Sequence, residues 1–141
     1  MEIFDINHYP IKAIYTYNDR RDHYGLKVLF EFEKGYLFFD SSRFRFGSDM
    51  RKISQYRWKK LNYEYRGNLT INDIREEELV YYFVLFSNEA IFHIYQFING
   101  DEFWYQEFEI IDRSDRADRY DEVVEHMNED WITQPDTVIE P

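Results

Sequence analysis

The chain has 141 residues, with 28 Asp and Glu against 17 Lys and Arg, a formal net charge of -11, and no Cys. Phe, Tyr and Trp make up 21% of it, which is too much apolar mass for a disordered acidic tail. One domain of ordinary size fits this length, and without Cys there is no disulfide, thiolate nucleophile, iron–sulfur cluster or Cys-ligated zinc.

The N-terminus, Met1-Glu2-Ile3-Phe4-Asp5, lacks a basic region followed by an apolar core, so no secretory signal is expected. Ile11 to Tyr17 then alternates, with Ile11, Ala13, Tyr15 and Tyr17 on one side, the period of a half-buried strand. Asn18 to Gly25 reads as a connection. Leu26, Val28, Phe30 and Phe32 alternate, Glu33-Lys34-Gly35 turns the chain, and Tyr36 to Asp40 returns, which together predict a hairpin. Alternation resumes in Arg43-Phe44-Arg45-Phe46 and stops at Gly47. Over residues 48–66 a short helix or irregular segment, capped by Ser48 or Asp49, is expected first. A strand carrying Leu61, Tyr63 and Tyr65 follows and ends at Gly67.

Three apolar runs come next: Leu79 to Phe86, Ala90 to Ile98, and Phe103 to Ile111. Asn99-Gly100 between the last two is a strong hairpin signal. Runs apolar on both faces predict central strands covered on both sides, so residues 79–111 are expected to form an antiparallel meander. A helix from about Ser114 to Asp130 follows, with Ala117, Tyr120, Val124, Met127 and Trp131 on one apolar stripe. Asp112 with Arg116, and Asp115 with Arg119, place acid four residues before base. The expected fold is a single α+β domain over residues 1–132. It has one antiparallel sheet of about six or seven strands with the C-terminal helix packed on it, and residues 133–141 form an extended or flexible tail. No run approaches the roughly 18 apolar residues of a membrane helix, and a soluble cytoplasmic protein is expected.

Charge is split along the chain. Residues 1–66 carry 13 Lys and Arg against 9 Asp and Glu, net +4, whereas residues 67–141 carry 4 against 19, net -15. Much of the acid lies on the C-terminal helix, where Asp115, Asp118, Glu122, Glu125 and Glu129 form a stripe about 200° from the apolar one. A solvated outer face is the ordinary explanation; the functional one is a row of carboxylates, with Trp131 at its end, facing a basic protein partner. The opposite feature is Arg43 to Arg66, with eight basic residues against Asp49 and Glu64. There Arg43, Arg45, Arg57, Trp58 and Lys60 suggest an alternative, a site for an anionic nucleotide or short nucleic acid. Alternation, however, tends to send rings and charges to opposite faces.

His8, His23, His93 and His126 share no metal-ligand spacing. His126 lies a helical turn from Glu122 and Asp130, and His93 falls in an apolar strand, where a hydrogen-bonded core histidine is the common case. There is no HExxH, GxSxG, P-loop or GxGxxG motif. The sequence therefore points to a small acidic, non-enzymatic protein that binds another protein, of the immunity, inhibitor or anti-defence kind. No cofactor or metal is expected, and no catalytic residue stands out.

Overall fold

A computed structural model of the chain describes residues 8–19, 25–40, 43–77, 81–99, 103–113, 117–127 and 137–139. In chain order the strands are β1 (Ala13–Asp19), β2 (Gly25–Phe32), β3 (Gly35–Asp40), β4 (Arg43–Gly47), β5 (Lys59–Lys60), β6 (Ile71–Glu77), β7 (Tyr81–Phe86), β8 (Ile91–Asn99) and β9 (Phe103–Ile111). The helix α1 (Ala117–Met127) and a last strand β10 (Thr137–Ile139) follow. They build two sheets, one of six strands in the order β10-β4-β3-β2-β1-β5 and one of four in the order β6-β7-β8-β9. Pairing is antiparallel except where β10 lies parallel to β4.

The expectation of a single sheet is therefore corrected. The cause lies in strands that are apolar on both faces. In the first sheet Val28, Phe30, Leu37, Phe39 and Phe44 face a core shared with Tyr82, Val84, Phe86, Phe92 and Ile94 of the second. The intervening residues Leu29, Tyr36 and Phe38 are just as buried, but on the opposite face, beneath Ile53, Tyr56 and Trp58. In the second sheet Phe83, Ile91 and Ile111 face outward onto Val123 of α1. One sheet with one helix has too few covered faces for three apolar layers, so the chain makes a sandwich with a cover on each side.

Rings fill the shared layer. Phe30 of β2 meets Phe86 and Phe92 edge-on at centroid distances of 6.1 and 5.6 Å. Phe92 in turn stacks on Phe108 at 5.1 Å. Such pairs contribute about 0.5–1.5 kcal/mol beyond the burial itself, and burying each large apolar side chain contributes about 1.5–3 kcal/mol. Tyr82, fully buried against Phe39 and Phe44, keeps its phenol protonated. Burial first, then the nearby Glu76 carboxylate, push its pKa up to about 12.

Other elements refine the expectation. Over residues 48–66 the helix is a 3₁₀ turn, Met50–Ile53, whose Asp49 cap accepts the Arg51 amide. The strand there is only Lys59–Lys60. Leu61, Tyr63 and Tyr65 pack on the shared core but lie outside any strand, because here the chain crosses from the first sheet to the second. Strand β6 has no clear signal in the sequence. A register shift between Ile71 and Asp73 turns Ile71 and Ile74, three positions apart, both into the core. Finally, Val123, outside the expected apolar stripe, is the most buried described side chain of α1, with Tyr120 and Val124 beside it. Residues 137–139 of the expected tail form β10 on the edge of the first sheet.

Gly47 sits directly opposite Tyr36 in the β3–β4 ladder. A Cβ there would overlap the Tyr36 hydroxyl and ring, and that ring is 1% exposed and has no room to swing away. Gly47→Ala is expected to destabilise the fold by about 1–3 kcal/mol, read from urea unfolding; an unchanged midpoint would contradict this packing.

Candidate functional site

The outer face of the second sheet and α1 together hold a half-buried polar knot around the buried His93. His93 of β8 stands directly opposite Phe83 of β7 on one side and Glu109 of β9 on the other. Its ring stacks on Phe83 at 4.5 Å with planes 6° apart, and its Nδ1 lies 3.2 Å from Glu109 Oε1. Arg119 of α1 reaches down to the same oxygen, donating from Nε at 3.2 Å and from Nη2 at 2.8 Å. Its Nη1 donates to Glu122 at 3.2 Å. A cavity of about 220 Å³ opens beside this knot, lined by Tyr81, Phe83, His93, Arg119, Glu122 and Val123.

Chemically the knot is a clamp. Burial works against ionisation of the Glu109 carboxyl, but the hydrogen bonds and charges of Arg119 and His93 outweigh it and hold its pKa below the ordinary 4.5. Glu109 is thus an acceptor committed to two donors. His93, expected as a hydrogen-bonded strand histidine, is 6% exposed. Among the described residues no group of three or more His, Asp or Glu side chains is placed to hold a metal ion. The side chain of His126, and therefore its acidic ridge, lies outside the described residues.

The clamp and Val123 orient the helix. Tyr120 adds a hydrogen bond of 2.6 Å to the Glu89 carbonyl at the β7–β8 turn. With that side fixed, Asp118, Asp121, Glu122 and Glu125 are exposed. Asp115, Glu129 and Trp131, the rest of the expected partner-binding row, lie outside the described residues, as does Arg116. Arg119, expected to pair with Asp115, has Glu109 and Glu122 as partners. Asp112 accepts the Tyr63 hydroxyl at 3.1 Å.

The basic and aromatic residues of 43–66 are spread across the first sheet. The ladders place Arg45, Phe38, Leu29, Tyr15 and Lys60 in one row, strand by strand. Four strand spacings separate Arg45 from Lys60, about 19 Å. Arg45 stands over the Phe38 ring at 5.1 Å and pairs with Asp40 at 3.5 Å. Trp58 meets the same Phe38 edge-on at 5.8 Å and donates its indole N–H to the Ile53 carbonyl at 2.9 Å. Arg57 and Lys60 are exposed, and the side chain of Arg43 lies outside the described residues.

Lys60 instead borders an open cleft of about 720 Å³ where the chain leaves β5, together with Lys12 and Arg66. Sequence reasoning missed Lys12, because it lies far from the basic run and only the β1–β5 pairing brings it near. Arg66 was legible as the last member of that run. Comparison with protein-family models, curated proteins and solved structures finds no match to this chain.

Glu109→Gln keeps the shape of the clamp and removes its charge. Because the folded carboxyl titrates below its unfolded value, its stabilisation is complete above that value and fades as pH falls through the lower folded pKa. The stability gap between wild type and Glu109→Gln is therefore expected to be widest near neutrality and to close in acid, by urea unfolding across pH. A gap independent of pH would contradict this role.

Proposed function

We propose that the chain is a non-enzymatic binding protein that engages a basic protein surface through the outward face of α1, as an immunity protein, inhibitor or anti-defence protein does. The observation that carries this reading is the exposure of Asp118, Asp121, Glu122 and Glu125 on a helix whose other side is seated by Val123, Tyr120 and the Arg119 clamp. A fixed row of carboxylates speeds encounter with a positive surface and disfavours acidic competitors, and salt weakens both effects. Residues 67–141 carry net -15, so the field reaches beyond the helix itself. In the proposed surface Asp115 and Glu129 extend the row, and Trp131 supplies an aromatic contact of the kind that anchors interfaces.

The alternative site for an anionic nucleotide or short nucleic acid draws on Arg43, Arg45, Arg57, Trp58 and Lys60. Two of these already serve the fold: Arg45 through Asp40 and Phe38, Trp58 through Ile53 and Phe38.

Affinity capture from the host lysate, followed by mass spectrometry, compares wild type with the Asp118→Lys/Asp121→Lys/Glu125→Lys variant, whose fold is checked by circular dichroism. Wild type is expected to retain a basic protein whose capture falls with added salt, and the variant to lose at least about 90% of it. Equal capture by both would overturn the reading.

A further inference from the structure

At the first-sheet edge, β5 follows β1 only briefly. The pairing runs through Tyr15 with Lys60 and ends at a bond of 2.7 Å from the Leu61 amide to the Ile14 carbonyl. The next tie is the Ile11 amide to the Leu69 carbonyl, also 2.7 Å. Between those ties residues 61–69 face only residues 11–14, so the longer segment bows away and leaves the 720 Å³ cleft. Its bow is braced: the Tyr65 hydroxyl donates to the Ile11 carbonyl at 3.1 Å and the Tyr63 hydroxyl to Asp112 at 3.1 Å. The rings of Tyr63 and Tyr65 lie 5.6 Å apart and rest on the core.

The cations at the cleft differ from most of the others. Lys27, Arg45, Arg51, Arg75, Arg113 and Arg119 each have a carboxylate partner. Lys12, Lys60 and Arg66 are exposed at the cleft, and none makes an ion pair among the described residues. Lys59 and Arg57, just along the chain, are likewise exposed and unpaired among the described residues. Lys34 at the β2–β3 turn is also exposed and unpaired among the described residues, but it stands alone, whereas the other five gather at the cleft and the short β5 beside it. Glu64 is the one carboxylate among the described lining residues, so the lining is net +2.

We propose that this cleft binds a small phosphorylated molecule, with Lys12, Lys60 and Arg66 taking the phosphate. A phosphate monoester carries close to two negative charges near neutrality, which matches the lining. The volume falls within the range of small-molecule pockets, about 300–1,000 Å³, and exceeds what phosphate alone fills, leaving room for an organic part beside the exposed Asn62 amide. A backbone hydrogen bond closes the cleft at each end, which favours a compact ligand over a threaded polymer. This site is separate from the acidic face of α1.

The test is isothermal titration calorimetry with pyrophosphate, adenosine diphosphate and a single-stranded oligonucleotide, at matched ionic strength. Pyrophosphate and the diphosphate are expected to bind at one site, and Lys60→Gln/Arg66→Gln to weaken them at least about tenfold. Lys34→Gln, at the β2–β3 turn, is expected to leave binding unchanged. Glu64→Gln is expected to tighten it about two- to fivefold, a gain that a merely loosened fold cannot give. Absence of binding by the small phosphates, equal binding by the double variant, or tighter binding of the oligonucleotide would each overturn the proposal.

Discussion

The contact on which the rest depends is the aromatic layer between the two sheets. Phe30 comes from β2, Phe86 and Phe92 from β7 and β8, and Phe108 from β9, and their rings touch in sequence. Each strand that sends a ring into this layer sends its next residue to the other face. The inner layer therefore creates two outer apolar surfaces, and each must be covered to keep its side chains from water. The segment around Ile53, Tyr56 and Trp58 covers one, and α1 covers the other.

That chain of necessity positions both candidate surfaces. Because Phe83, Ile91 and Ile111 need a lid, α1 lies on the second sheet with Val123 inward and its acidic residues outward. The same constraint leaves His93 and Glu109 under the helix, where an unmatched charge is costly, and Arg119 matches it. At the other end, Tyr63 and Tyr65 are drawn to the shared core as the chain crosses between sheets. Their departure from β1 opens the cleft at Lys12 and Lys60.

What the sequence revealed follows from how local each feature is. The β2–β3 hairpin and the strands β7, β8 and β9 were legible because their apolar content is dense and their turns carry recognisable residues. Asp118, Glu122 and Glu125 of α1 were legible from helical spacing, whereas Asp121, exposed beside them, fell outside the expected stripe. By contrast β6 was hidden, because its bulge gives Ile71 and Ile74 a spacing that resembles a helix. The split into two sheets was hidden as well, since alternation does not say which strands share a layer. The membership of Val123 in the helix's buried side depends on where Arg119 finds Glu109, a contact across ten residues that periodicity cannot supply. Lys12 and Lys60 line one cleft for a similar reason, because β1 pairs with β5 through Tyr15 and Lys60.

If the ring layer binds the two sheets into one cooperative unit, neither sheet opens without the other. Native-state amide hydrogen exchange measures this directly. Amides of β2 and β3 in the first sheet and of β7 and β8 in the second are expected to exchange with the same free energy, equal to that of global unfolding. A first sheet that stays protected while the second exchanges several kcal/mol more easily, or the reverse, would contradict the account.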